Sequence, residues 1–96
     1  MTECYEIIRE HANELKKCKL FSRMDGALDW ACGDFRDLYM KCLVSYDRIN
    51  LERRRINPDE DIDEVVSRFR QAMLENGASK GIDFSYYKIL KRSIDE

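Results

Sequence analysis

Four cysteines and a single histidine are the side chains of this sequence with the widest chemical range. Cys4, His11 and Cys18 recur every seven residues, which on a helix would place two thiols and an imidazole on one face, the ligand types of a zinc site. Positions seven apart on a helix are about 10.5 Å apart along its axis, whereas the ligands of one zinc ion lie ~2.0 to 2.3 Å from it. No metal is therefore expected, and His11 reads as a residue at the core boundary. Asp59, Asp61 and Asp63 open like a calcium loop, but Glu64 stands where that loop needs glycine and Arg70 where it needs an acid. These acids read instead as charges favouring the positive end of a helix. A Ser-His or Cys-His pair would have to use His11, which has no Gly-rich nucleophile turn or phosphate-cradling loop near it. The expectation is a non-enzymatic protein with no catalytic residues and no cofactor.

Cys32 and Cys42 enclose nine residues, and Cys32-Gly-Asp-Phe-Arg-Asp-Leu-Tyr-Met-Lys-Cys42 resembles one arm of the twin-cysteine helical hairpins of the mitochondrial intermembrane space. That resemblance implies an oxidised hairpin acting in mitochondrial assembly. Cys4 and Cys18 enclose thirteen residues and do not match the second arm. On helices the two pairs would span ~21 Å and ~15 Å. A disulfide needs Cα atoms roughly 4.4 to 6.8 Å apart, so bridges Cys4–Cys42 and Cys18–Cys32 would require a shifted or broken helix. Free thiols packed in a core fit the spacing better.

The densest basic run is Arg53-Arg54-Arg55, which either opposes the negative end of a helix or contacts an acidic or phosphorylated partner. It precedes the acidic cluster Asp59, Glu60, Asp61, Asp63 and Glu64, and the two are expected to neutralise each other in part. Ser85-Tyr86-Tyr87-Lys88, with Lys91 and Arg92, interleaves aromatic and basic groups as some nucleic-acid surfaces do, though a short helix packing its aromatics inward has the same pattern.

The elements that would position these groups are read from apolar spacing. From Thr2 as N-cap, Cys4, Ile8, Ala12, Leu15 and Cys18 recur at helical intervals and predict helix A over about residues 3–19. Leu28, Ala31, Phe35, Leu38, Cys42, Ser45, Ile49 and Ile56 alternate by three and four and predict a long helix B ending at Arg55, roughly 29 residues and ~43 Å. Asn57-Pro58-Asp59-Glu60 predicts the start of helix C, with Ile62, Val65, Val66, Phe69 and Met73 as its buried stripe and Asn76-Gly77 as its end. Asp83 is read as the cap of helix D, carrying Phe84, Tyr87, Leu90 and Ile94. Phe35, Leu38, Val65 and Phe69 are expected at the core's centre. A helix B of that length outreaches helix A, and Trp30, Tyr39 and Tyr46 flank its stripe, so partner contact or homodimerisation is expected through Trp30, Tyr39, Tyr46, Arg53, Arg54 and Arg55; the competing reading is a helix B that breaks near Asn50, letting Leu51 and Ile56 fold back over a compact monomer.

The expected architecture is all-α, a small four-helix bundle with one long central helix, forming one helical domain over residues 1–96. An apolar content of 44% with 38% charged residues excludes a disordered chain, and no apolar run approaches the roughly 20 residues of a spanning helix. Glu3, Glu6, Arg9 and Glu10 near the N-terminus argue against a secretory signal, which makes the cytoplasm the expected compartment. Net charge is −2, so no general nucleic-acid surface is expected. By elimination the function is that of a small interaction or regulatory protein of bacterial or phage type, occluding or bridging a protein partner of unknown identity. The alternatives are the oxidised mitochondrial hairpin and a helical nucleic-acid binder using Arg53 to Arg55 with Lys88, Lys91 and Arg92.

Overall fold

The computed structural model describes residues 2–12 and 14–94. Its elements are β1 (Thr2–His11), β2 (Glu14–Phe21), α1 (Met24–Ser45), α2 (Arg48–Arg53), α3 (Ile62–Asn76), β3 (Ala78–Lys80) and β4 (Ser85–Ile94). The four strands form one antiparallel sheet in the order β2-β1-β4-β3, with a hairpin from each end of the chain and the helices between them in sequence. The fold is therefore mixed α and β, and the expected all-α four-helix bundle is overturned.

Helix A is replaced by β1 and β2, and helix D by β4. The apolar residues of β1 fall on both sides of the strand, which imitates helical spacing. Ile7 packs in the core with Tyr5 against it, while Cys4, Glu6, Ile8 and Glu10 take the opposite parity and face away from the helices. Arg9 and Lys17 point inward, toward α1, so charge interrupts the alternation that would mark a strand. In β4 the inward residues are Tyr87 and Ile89, and Tyr86, Lys88 and Leu90 lie on the open face. Asp83 caps nothing. It shares with Phe84 a tight turn in which both residues have positive φ, 53° and 66°, closed by Ser85 N–H to the Ile82 carbonyl at 3.0 Å.

A bulge sets which side of β2 meets the helices. Arg9 pairs with Lys17 and Glu10 with Leu15, so Lys16 has no partner in the register. Without that extra residue every side chain from 17 to 21 would change faces. With it, Lys17, Lys19 and Phe21 turn inward, where Phe21 meets Trp30 with ring centroids 6.1 Å apart and Lys17 lies 5.4 Å from the Trp30 ring.

The long helix B divides into α1 and α2. Tyr46 N–H still bonds to the Cys42 carbonyl, but the Asp47 carboxylate then accepts the Asn50 N–H at 2.8 Å and starts a new helix. Leu51 and Ile56, 4% and 2% exposed, fold back into the core, while Ile49 turns outward. The shortfall of cover that motivated a dimer along helix B is thereby removed. Helix C starts later than expected: Asn57 Oδ1 accepts from Asp59 N–H in a turn, and Asp61 caps α3 through Asp63 N–H. Its end at Asn76, with Gly77 left-handed at φ 68°, is where the Asn-Gly pair places it.

The core lies between the helices and one face of the sheet. Phe35 stacks on Phe69 at 4.4 Å, and Phe69 meets Tyr87 edge-on at 5.0 Å, joining α1, α3 and β4. Burying each such side chain stabilises by roughly 1.5 to 3 kcal/mol. Leu38 and Val65, expected at the centre, are half-buried at its margin, and Leu28, Met73, Ile7 and Tyr87 take the middle.

At the heart of this layer Asp34, 9% exposed, accepts from Arg9 at 2.7 Å, the Tyr87 hydroxyl at 2.7 Å and Lys17 at 3.2 Å. Burial pushes its carboxyl up, but the hydrogen bonds from Tyr87, Lys17 and Arg9 outweigh it and hold the group below the ordinary carboxylate range. Two outcomes follow. Asp34→Asn, which leaves Arg9 without its counter-charge, should lower stability in chemical denaturation by on the order of 3 kcal/mol. A folded pKa below the unfolded one means the stabilisation is complete above the unfolded carboxylate range and is lost as pH falls through the depressed value. The stability gap between wild type and Asp34→Asn should therefore narrow in acid. Gly81 supplies a second test. A Cβ there would collide with Ser85 Oγ and lie 2.7 Å from Tyr87 Cε1, so Gly81→Ala should cost about 1 to 3 kcal/mol, and unchanged stability would show that the hairpin does not press on Tyr87.

Candidate functional site: a cationic cavity at the sheet end

The chain leaves α2 through a tight reversal. Arg55 N–H bonds to the Glu52 carbonyl and Ile56 N–H to the Leu51 carbonyl, while buried Leu51 and Ile56 bracket the turn. The residue at the left-handed position of this motif is usually glycine; here it is Arg55, at φ 61°. The β3–β4 turn repeats the pattern, because its two positive-φ positions favour Asn, Asp and Gly and the second is Phe84. Ala12, at φ 51°, donates its N–H to the Phe84 carbonyl and ties the tip of the first hairpin to that of the second.

These segments enclose a cavity of about 800 Å³. All four non-glycine residues with positive φ among the described residues, Ala12, Arg55, Asp83 and Phe84, line it. Backbone held in such conformations is sustained by its surroundings and concentrates at functional sites. Arg53, Arg54, Arg55, Lys80 and Lys88 line the cavity against the acids Glu10 and Asp83, five cations to two anions.

Partnership within the molecule sharpens the picture. Eight of the ten arginines, 9, 23, 36, 48, 54, 68, 70 and 92, each have an acidic partner. Among the described residues the two without one are Arg53 and Arg55, and both lie here with Lys80, whose ammonium is also unpaired. The expected mutual neutralisation with the acidic cluster does not occur. Asp59 is taken by Arg48, Glu60 by Arg68 and Asp63 by Arg36. Arg54 is the anchored member of the triplet. Its guanidinium lies over the Tyr46 ring at 3.8 Å and donates to the Asn50 carbonyl, with Nε 3.1 Å from Asp83. That Nε is nevertheless the one buried side-chain polar atom among the described residues without a hydrogen bond.

The six residues singled out in the sequence thus separate into three groups. Arg53, Arg54 and Arg55 line the cavity and Tyr46 supports Arg54 from below. Tyr39, 3% exposed, belongs to the core and donates its hydroxyl to the Asn57 carbonyl. Trp30 sits half-buried under Lys17 and Lys19 on the β2 side. Lys80 and Phe84 were missed, and Tyr86 and Lys88 were read only as part of an aromatic and basic strip on a helix, because the hairpin that carries them was read as a loop and a helix. The Gly81-Ile82-Asp83 turn signal beside them was the available clue.

The chemistry this cavity supports is attraction of an anion by unpaired cations beside an exposed ring. A second cavity of about 380 Å³ brings His11 near Cys42. Burial pushes the Cys42 thiol up, with Asp83 adding to the effect, which opposes the thiolate a nucleophile requires. Cys4 and His11 occupy opposite faces of β1, and among the described residues no three His, Cys, Asp or Glu side chains are grouped to hold a metal ion. The four thiols are unbridged, and with Cys4 and Cys18 on strands the second arm of a cysteine helical hairpin does not exist. No helix among the described residues is long and apolar enough to cross a membrane. No protein family, curated protein or solved structure matches this chain.

Proposed function

We propose that this chain is a small, non-enzymatic regulatory protein of the cytoplasm that occludes or bridges a protein partner by engaging an acidic segment of it in the cationic cavity. The observation that carries this proposal is the pairing pattern: Arg53, Arg55 and Lys80 are left without acidic partners in one cavity of a protein whose other arginines are all matched. An unpaired guanidinium offers a carboxylate a two-pronged, charge-assisted contact. The restriction of unmatched arginine to this one place, with Lys80 beside it, favours a short acidic segment over a long polyanion. Net charge is −2, and the basic strip that suggested nucleic acid is neutralised, Lys88 by Glu10, Lys91 by Glu3 and Arg92 by Glu6.

Fluorescence anisotropy with fluorescein-labelled octaglutamate tests this. Binding should be salt-sensitive, because exposed charges are screened within about 10 Å at 0.1 M salt, and Arg53→Glu with Arg55→Glu should abolish it. Arg55→Gly should weaken binding while leaving thermal stability unchanged or higher by up to about 1 kcal/mol, since glycine suits the left-handed position. Octaglutamate binding that survives the double reversal would refute the site.

A further inference from the structure

Phe84 is 78% exposed, the second most exposed of the large apolar side chains among the described residues after Val44, and stands at φ 66° on the rim of the cationic cavity. Two features make its identity informative. The backbone there favours glycine or asparagine, so a phenylalanine adds conformational strain. Its ring also covers little of the protein's own surface, so that strain is not offset by burial within the fold. The platform beneath it is nevertheless firm. The turn is closed by the Ser85 N–H to Ile82 carbonyl bond and by Gly81 N–H to the Ser85 carbonyl at 2.9 Å, and the Ala12 N–H holds the Phe84 carbonyl from the neighbouring hairpin. Ser85, 5% exposed, donates its hydroxyl to the Ile82 carbonyl at 2.5 Å. Phe84 is thus an aromatic ring presented on a fixed support beside Arg53, Arg55 and Lys80.

Charged contacts at a wet rim give weak, salt-dependent association, and a buried aromatic anchor is what converts such a rim into a specific interface. Building on the cationic-cavity proposal, we infer that Phe84 is that anchor, and that the partner segment carries an apolar side chain flanked by acids, the apolar group packing on the Phe84 ring while the acids meet Arg53, Arg55 and Lys80. A purely acidic segment would leave the ring in water. A nucleic acid would also offer flat groups to the ring, but its backbone charge extends well beyond the cavity, over a surface whose acids and bases are already matched.

The inference is tested with three fluorescein-labelled probes of similar length: a nonapeptide of glutamates with serine at its centre, the same peptide with leucine at its centre, and a nine-nucleotide oligothymidylate. Against the intact chain the leucine peptide should bind about tenfold tighter than the serine peptide, the effect of covering one aliphatic side chain. Phe84→Asn should abolish that difference and melt at or above the wild-type temperature. Failure of the cationic-cavity proposal has its own signature, in which neither peptide binds or the Arg53→Glu, Arg55→Glu variant binds both as well as wild type. Failure of the present inference alone appears as equal affinity for the two peptides, or as a leucine preference that survives Phe84→Asn. A variant that melts well below wild type would also overturn it, by showing that the ring holds the fold together. Oligothymidylate binding tighter than the leucine peptide would assign the ring to nucleic acid instead.

Discussion

Asp34 stands on the inward side of α1 and receives donors from three strands: Arg9 of β1, Lys17 of β2 and Tyr87 of β4. A carboxylate withdrawn from water costs several kcal/mol unless its lone pairs are met, and here three donors, two of them cationic, meet them. The arrangement requires that residues 9, 17 and 87 share one face of the sheet. They do so only in the register Arg9 opposite Lys17 and Arg9 opposite Tyr87, and on the β2 side that register needs the bulge at Lys16. One buried acid thus couples the position of α1 to the pairing of the hairpins from both ends of the chain. An apolar side chain at position 34 could pack against many registers. A charge that must find its three donors is far more selective.

The same matching of charge extends outward. The acids Asp59 and Glu60 before α3 and Asp63 in its first turn are held by Arg48, Arg68 and Arg36, Arg70 reaches across to Asp29 of α1, and β4 answers the acids of β1 with Lys88 and Arg92. Each exposed pair contributes little to stability on its own, in the range of ~0.2 to 1 kcal/mol. Together they leave a surface nearly free of unmatched arginine, and the exception at Arg53 and Arg55 stands out against that background. The cavity there also departs from local conformational preference, with an arginine and a phenylalanine at positions that favour glycine or asparagine. Locally unfavourable residues with no gain inside the fold are the expected trace of selection for contact with something outside it.

Legibility in the sequence followed how local the determining interaction was. The stripe of α3 and its Asn76-Gly77 end were readable, because a cap and a 3.6-residue period act within one or two turns. The spacing of Leu28, Ala31, Phe35 and Cys42 likewise located α1. The break that the Asp47 cap makes was legible only as an alternative to a continuous helix B, placed near Asn50. Its outcome depended on whether Leu51 and Ile56 gained more by turning back into the core than by prolonging a helix. Arg53, Arg54 and Arg55 were identifiable as a candidate site because their density is a property of the sequence. That Arg54 would be anchored on Tyr46 while its neighbours stay free was not, since the partners lie elsewhere in the fold.

The strands were concealed for a related reason. β1 and β4 pair Thr2 with Ile94 and His11 with Ser85, so the centre of the sheet is made by the two ends of the chain and no local signal announces it. Each strand alone carries apolar residues on both faces and, in β1 and β2, charges directed inward, which removes the alternation that would distinguish it from an amphipathic helix. By itself the sequence determined the helical character of α1 and α3 and the α3 end, through contacts spanning a few positions, and it marked the Arg53–Arg55 run as a candidate. The tertiary structure alone decided that residues 2–11, 14–21 and 85–94 are extended, which charges are matched and which remain free. Those outcomes depend on Asp34 and the aromatic core meeting partners on other elements, 17 to 53 residues away in sequence.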